Sequence, residues 1–253
     1  METQRFLPDN PTFNQIQAFL YGDGIIRYRM GGIRWRHLPT YNHLTRSAYI
    51  ATRIAQDSRQ FSPPEIVEVA TAAELHDIGK DLVDKKILDE PRELTPDEHL
   101  EVQQHPEIGA KLLTDLLKVG VPTLITPHVL LMVEYHHSLQ GNVGGKHGSY
   151  PIKIDPEKPE TDPDGFPQGE ERGRLLQKLY VVVAADLGDA GFMDRDYHNA
   201  QLRSLSEVEV TAKRVKLYGE MGKTYPGPQL FYDLAVHYAA LVRGQRPQGP
   251  SRN

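Results

Sequence analysis

The chain has 253 residues, of which 39% are hydrophobic and 25% charged, and its formal net charge is −5. This length suffices for a buried core, and the acidic balance argues against duplex nucleic acid as a partner. The absence of cysteine excludes disulfides, thiolate catalysis and cysteine-ligated zinc. The N-terminus lacks the apolar core of a signal peptide, and the longest apolar run, LYVVVAAD at 179–186, is too short to span a bilayer. We therefore expect a soluble, cytoplasmic protein with no membrane partner.

Residues 1–40 form a distinct N-terminal segment in this interpretation. In IIRYRMGGIRWR, at 25–36, apolar residues alternate with arginines on both sides of Gly31-Gly32. Alternation around a two-residue glycine pair predicts a small β-hairpin. Its arginines would either contact phosphates or form a solvated face.

Apolar residues recur at helical intervals from residue 41 onward, which predicts an all-α domain over 41–243 and a flexible tail over 244–253. Three polar residues followed by proline mark helix starts: Ser62, Thr95 and Thr126. Pro106 predicts a break between two helices, and Gly120 predicts the end of the second. The segment 173–192 is predicted as a helix, although its three consecutive valines also suit a strand.

Residues 138–172 interrupt the helical pattern with a stretch rich in glycine, proline and charge. A loop of this length in a compact domain is usually functional or disordered. Because it begins at a histidine pair, it is either a lid over a site or a surface insertion. The last helical segment has aromatic and aliphatic residues at helical spacing, which favours a core helix or a dimer face.

Histidines and aspartates stand on or at the ends of these predicted helices. Helices that converge on one interior would bring seven of these side chains together. The seven candidates are His43, His76, Asp77, His105, His136, His137 and Asp186.

Imidazole and carboxylate groups are ligands for first-row divalent metals, and seven such groups exceed the needs of one ion. A carboxylate between two ions can bridge them, and ions roughly 3.5–4 Å apart suit in-line attack on a phosphate. Lys80 follows His76 by one turn and is placed to contact the scissile phosphate. The pattern predicts a two-metal phosphohydrolase centre with Asp77 and Lys80 as catalytic residues.

Six motifs of the chain resemble the HD superfamily of metal-dependent phosphohydrolases, and in detail its HD-GYP branch, which hydrolyses cyclic di-GMP. The motifs occur in the family's order and spacing between about residues 41 and 200. They are HLTR, AAELHDIGK, KKILDEPRELTPDE, HPEIGAKLL, VEYHH and VVVAADLGDAGFMDRDYHNA. The resemblance implies an HD-domain helical bundle with a dinuclear metal site in its core.

The resemblance also implies roles for individual residues. One metal would be held by His43, His76, Asp77 and Asp186. Asp77 would bridge to a second metal, held by His105, His136 and His137. Lys80 would meet the phosphate, and further substrate contacts would come from Asp189, Ala190, Arg195 and His198. In this branch the metals are usually iron or manganese, and the ligand types are compatible with either.

The substrate loop departs from the family pattern of an acidic residue, Asp-Gly and then Gly-Tyr-Pro. Ser138 replaces the acidic residue. Either Gly144 aligns with the family glycine and the Tyr-Pro pair is lost, or Tyr150 is the family tyrosine after a short insertion. Pro39 stands where members with a third metal carry a carboxylate, so we expect two ions.

Three functions follow as alternatives. The first is a phosphodiesterase that opens cyclic di-GMP to the linear dinucleotide, to GMP or to both, by attack of a metal-bridged hydroxide. The second keeps the centre and acts on another nucleotide, which the altered loop favours. The third is a catalytically silent nucleotide-binding adaptor that signals through a partner protein. The sequence does not decide whether the protein forms a homodimer.

Overall fold

The computed structural model describes most of the chain in five segments and two single positions. They are 7–88, 94–118, 120, 124–139, 150, 154–192 and 227–244. Within the parts that the structure describes, no helix combines the length and the apolar character that crossing a bilayer requires.

The described elements are all helical, which confirms the predicted all-α class. The α-helices are α1 (Pro11–Gly22), α2 (Gly24–Arg36), α3 (Leu38–Ser58), α4 (Pro63–Leu75), α5 (Lys85–Leu88), α6 (Pro96–Gln103), α7 (His105–Lys118), α8 (Pro127–Tyr135), α9 (Gly169–Phe192) and α10 (Gln229–Gly244). Two 3-10 helices lie between them, at Ile78–Leu82 and Pro159–Thr161.

The predicted helix starts are confirmed. Ser62 and Thr95 each form a capping box with the glutamate three residues later. Thr126 caps α8 by accepting from the backbone N–H of Val129 at 3.2 Å. These caps satisfy backbone donors that have no partner inside the helix, so they fix where each helix begins.

The centre of the bundle is α3, which packs against α4, α9 and α10. Helix α8 packs on α4, α9 and α7, and α7 also contacts the 3-10 helix at 78–82. Apolar side chains of these elements, including the valines 181–183 of α9, are buried in one cluster. This arrangement directs the ends of α4 and α8, the start of α7 and the middle of α9 towards one region beside α3.

The predicted β-hairpin at 25–36 is wrong, because these residues form α2. Ile26, Met30 and Ile33 are 0–2% exposed, and their spacing of four and three residues is helical. The strand pattern would have buried Tyr28, which is 76% exposed. Gly32 is not in a turn; a Cβ there would lie 2.9 Å from Oδ1 of Asp81, so the glycine permits close packing of that carboxylate.

Helices α1 and α2 share the core of the later helices, since α1 contacts α3 and α4 and α2 contacts α3. The domain boundary near residue 40 stays a prediction. Residues 140–149 and 151–153 of the predicted loop lie outside the described residues, so its role as a lid also stays a prediction. Helix α9 begins at Gly169, slightly before the predicted loop end at 172.

Candidate metal centre

The seven candidate ligands lie together, and each comes from a defined point of a helix. His43 is on the second turn of α3, and Asp186 is in the second half of α9. His76 ends α4, His105 begins α7, and His136 ends α8. Helix ends place side chains at a common point without requiring the helices themselves to cross there.

Two glycines allow the 3-10 helix after Asp77 to approach α7 closely. A Cβ on Gly79 would overlap the carbonyl oxygen of His105 and would lie 2.8 Å from the backbone nitrogen of Gly109. A Cβ on Gly109 would lie 3.3 Å from the backbone nitrogen of Gly79. This backbone contact sets the distance between Asp77 and His105.

The two carboxylate oxygens of Asp77 face two different groups of histidines. Oδ1 lies 2.8 Å from Nε2 of His105 and 3.9 Å from Nε2 of His136. Oδ2 lies 3.6 Å from Nε2 of His76 and 4.0 Å from Nε2 of His43. His137 belongs to the Oδ1 group, whose ligand atoms all lie within 4.8 Å of one another. The two oxygens of Asp77 therefore face two separate groups of imidazole nitrogens.

Hydrogen bonds fix the tautomers of the histidines. Nδ1 donates to the carbonyl oxygen three residues earlier in three cases, at 2.6–2.8 Å: His76, His105 and His136. A neutral imidazole whose Nδ1 carries the proton has a lone pair on Nε2, and this is the usual state of a metal-bound histidine. The three Nε2 atoms therefore turn lone pairs towards Asp77.

A cation fits this donor set, because without one the buried acceptors face each other. Nε2 of His105 lies 3.3 Å from Nε2 of His136, and neither carries the proton in the tautomers assigned above. Oδ1 of Asp77 is buried and has no hydrogen-bond donor despite its short distance to His105. Burial and the neighbouring imidazoles lower the pKa of His136 well below its usual value, which keeps that ring neutral.

Asp77 itself is kept ionised. Burial raises its pKa, but Lys80 and the neighbouring imidazoles outweigh burial and hold the pKa well below its usual value. Nζ of Lys80 lies 2.5 Å from Oδ2. A permanently charged carboxylate at the midpoint of the site is what a pair of divalent ions requires.

The Oδ2 side of the centre is completed by Asp186, whose Oδ1 lies 3.1 Å from Nε2 of His43 and 3.8 Å from Nε2 of His76. His43 is held from behind by Asp189, with Nδ1 to Oδ2 at 2.7 Å. Burial lowers the pKa of His43, but the carboxylates of Asp186 and Asp189 outweigh burial and raise it to about 9.

The side chain of Asp189 lies behind His43, and its role as a nucleotide contact stays a prediction. Its side chain is 0% exposed, and its oxygens accept from His43 and from Nε and Nη2 of Arg46 at 2.6 and 2.9 Å. This hydrogen bond orients the ring of His43. Arg46 was missed by the sequence reasoning, although its place one turn after His43 on α3 put both side chains on one helix face.

The structure describes three of the five other predicted substrate residues. Lys80 borders the centre, and its side chain is 21% exposed. The ring of Tyr150 stacks on His137 with centroids 3.9 Å apart and an interplanar angle of 20°, so this tyrosine reaches the site. Ala190 is half-buried on α9. Arg195 and His198 lie outside the described residues.

The HD domain model of protein families matches residues 40–179. The chain belongs to the HD domain family. The match contains six of the seven clustered side chains, and Asp186 follows it on α9. HD domains bind divalent metal, in agreement with the donor set described above.

Three curated proteins are similar to this HD-domain chain over most of its length. A cyclic di-GMP phosphodiesterase of Thermotoga maritima is 27% identical over 188 residues, which are 73% of this chain and 43% of the relative. A cyclic di-GMP phosphodiesterase response regulator of Xanthomonas campestris is 25% identical over 76% of this chain and 42% of its own length. A cyclic di-GMP phosphodiesterase of Pseudomonas aeruginosa is 36% identical over 65% of this chain and 34% of its own length. The chain thus spans less than half of these relatives.

Asp189→Asn tests the positioning role of this carboxylate. The amide is uncharged and has one acceptor oxygen instead of two, so its NH2 group would face an N–H donor of His43 or Arg46, and we expect metal affinity to fall about 10- to 100-fold. Chelator competition against Mn(II) measures this. Asp162→Asn is the matched control, because Asp162 forms a buried pair with Arg172 away from the centre. Equal metal affinities in the two variants would contradict the assignment.

Proposed function

We propose that this protein is a metal-dependent phosphodiesterase that hydrolyses cyclic di-GMP to the linear dinucleotide, to GMP or to both. The observation that carries the proposal is the division of Asp77 between two groups of histidines, with Oδ1 on one side and Oδ2 on the other. A bridged pair of ions is the arrangement that suits displacement at phosphorus.

One ion would be held by His43, His76, Asp77 and Asp186, and the other by Asp77, His105, His136 and His137. Iron and manganese are the proposed ions, since imidazole and carboxylate ligands accept both. When bound, such ions supply Lewis acidity towards phosphoryl oxygens and a water of lowered pKa. The chain contributes neutral imidazoles whose Nδ1–H groups are already engaged, so the rings keep their orientation.

Lys80 is the proposed electrostatic partner of the phosphate. Its ammonium group is beside Oδ2 of Asp77 and partly exposed, so it adjoins both the metal ligands and the solvent from which a substrate arrives. A fixed cation at this place stabilises the negative charge that builds up on a phosphate under attack. Tyr150 would add a ring at the entrance, where it stacks on His137.

The choice of cyclic di-GMP as substrate is supported by the relatives from Thermotoga, Xanthomonas and Pseudomonas, which are named as cyclic di-GMP phosphodiesterases. The proximity of Tyr150 to His137 favours its alignment with the tyrosine of the family loop. With this alignment the loop keeps the tyrosine of the family pattern, so it differs from that pattern at fewer positions.

A direct assay tests the proposal. The protein is purified anaerobically, loaded with Fe(II) or Mn(II), supplied with cyclic di-GMP, and its products are resolved by chromatography. We expect linear dinucleotide or GMP, and no product after chelation. Intact cyclic di-GMP in the presence of two bound ions per chain would overturn the substrate assignment.

In the same assay, Lys80→Ala separates chemistry from metal binding. We expect kcat to fall about 100-fold because one charged contact to the phosphate is lost, while the metal content stays at the wild-type level. Lys118→Ala is the control, because this lysine is 70% exposed on α7 and pairs with Asp115 away from the centre. A Lys80→Ala enzyme with wild-type kcat would remove Lys80 from the mechanism.

A further inference from the structure

A glycine opens a notch in the face of α2 that packs on the 3-10 helix at 78–82. Arg29, Gly32 and Arg36 share this face, because they follow one another at spacings of three and four residues. The carboxylate of Asp81 lies in the notch, where a Cβ on Gly32 would come within 2.9 Å of its Oδ1. A side chain at residue 32 would therefore push this carboxylate away from α2.

The two arginines hold the Asp81 carboxylate from the turns before and after the notch. Nη1 of Arg29 lies 3.2 Å from Oδ2, and Nη2 of Arg36 binds Oδ1. The same Nη2 donates to the backbone carbonyl oxygen of Asp81, so one guanidinium fixes both the side chain and the main chain of this residue. The carboxylate is buried, and a buried charge that loses a partner is destabilising. We call this contact the Asp81 clamp.

The 3-10 helix depends on contacts of this kind. It has only five residues, and 3-10 hydrogen bonds have poorer geometry than those of an α-helix. Gly79 packs on the backbone of α7, and Asp81 is held by α2. Lys80 lies between these two anchored residues, with its Nζ 2.5 Å from Oδ2 of Asp77. Because the lysine stem is flexible, the place of its ammonium group depends on where the backbone is held.

We propose that Arg29, Gly32 and Arg36 are positioning residues for Lys80, which α2 holds at the metal centre through the Asp81 clamp. This inference rests on the proposed function, in which Lys80 meets the phosphate. It assigns a part in the reaction to a helix that precedes the HD domain match, which begins at residue 40.

Two neighbouring glycines give a matched pair of substitutions. Gly32→Ala places a methyl group against Oδ1 of Asp81, whereas Gly31→Ala adds the same group where nothing lies within 4 Å. Both changes favour the helix, so a difference between them reports the clamp. The Asp81 side chain can rotate, so Gly32→Ala displaces the carboxylate without preventing folding. Arg36→Met removes a partner of the clamp, and Arg27→Met, at an exposed arginine of α2, is its control.

We expect kcat of the manganese-loaded enzyme to fall about tenfold in Gly32→Ala and Arg36→Met at unchanged metal content, because the ammonium group of Lys80 is misplaced. The Gly31→Ala and Arg27→Met controls should stay within about twofold of the wild type. In the Lys80→Ala enzyme there is no ammonium group to position, so Gly32→Ala should lower kcat no further. A tenfold loss in that background as well, or equal kcat in the two glycine variants, would overturn the proposal.

Hydrogen–deuterium exchange of the metal-free protein gives a readout that needs no substrate. The amides of Lys80 and Val83 donate to the carbonyl oxygens of Asp77 and Lys80, at 2.9 and 3.2 Å. We expect exchange over residues 78–83 to be faster in Gly32→Ala and Arg36→Met than in their controls, because the 3-10 helix opens more often. Unchanged exchange would show that α2 does not hold this helix.

A second substrate, bis(p-nitrophenyl) phosphate, separates failure of this inference from failure of the proposed function. If the wild type cleaves this diester but not cyclic di-GMP, the proposed substrate fails, and the same comparison of kcat with the diester decides the role of α2. If the wild type cleaves neither, the proposed function and the positioning role fail together, and faster exchange would leave the clamp as a structural contact.

Discussion

Asp77→Asn is expected to remove metal from both sides of the centre at once. The amide nitrogen cannot serve as a ligand, and the loss of negative charge weakens the attraction for both ions. We expect metal content to fall from about two ions per chain to below about one, and hydrolysis to fall at least about 1,000-fold. Elemental analysis of the purified variant and the chromatographic assay measure the two effects.

The control for this substitution is Asp115→Asn, at an aspartate whose side chain is 56% exposed on α7. It makes the same change of charge and chemistry without touching the centre, so both quantities should match the wild type. If Asp77→Asn kept both ions, the carboxylate would not be a bridge, and the two groups of histidines would have to bind metal independently.

Gly79→Ala is expected to have the largest effect on stability. The new Cβ meets backbone atoms of His105 and Gly109, which cannot rotate away as a side chain does. The contact between the 3-10 helix and α7 must open, at a cost of about 3 kcal/mol in the free energy of unfolding. His105 then moves away from Asp77, so this single methyl group also weakens metal binding. Thermal unfolding of the metal-free protein and Mn(II) titration measure both consequences.

Gly173→Ala is the matched control, and we expect it to raise the free energy of unfolding instead of lowering it. Gly173 lies in α9, and a Cβ there meets nothing within 4 Å. Alanine is a better helix former than glycine, so the free energy of unfolding of this variant should rise by about 0.5–1 kcal/mol. Two glycine-to-alanine changes of opposite effect would show that the close approach at Gly79, and not helix propensity, decides the result. A stable Gly79→Ala protein with normal metal affinity would refute this account.

The helical boundaries were largely readable from the sequence. Ser62, Thr95 and Thr126 cap helices because their side chains satisfy backbone donors a few residues away, which is a local interaction. The α2 segment was misread for the opposite reason. Its arginines and Gly31-Gly32 imitate a strand and turn, while the burial of Met30 depends on the helices packed around it.

The candidate ligands were also named from the sequence, because histidine and aspartate at helix ends are unusual in an apolar pattern and have a specific metal chemistry. Their separation into two groups was not readable. It depends on which oxygen of Asp77 faces which ring, and this follows from backbone contacts between segments about 30 residues apart in the chain, such as Gly79 with Gly109.

Asp189 is a second residue whose contacts could not be predicted from the sequence. The sequence placed it near the nucleotide, but the fold pairs it with His43 and Arg46, 146 and 143 residues earlier. The sequence by itself determined the residue types, the helical class and the chemistry of the centre, because these depend on local pattern and ligand preference. The tertiary structure alone decided which imidazoles face which oxygen of Asp77 and which carboxylate lies behind His43, since those relations depend on long-range packing.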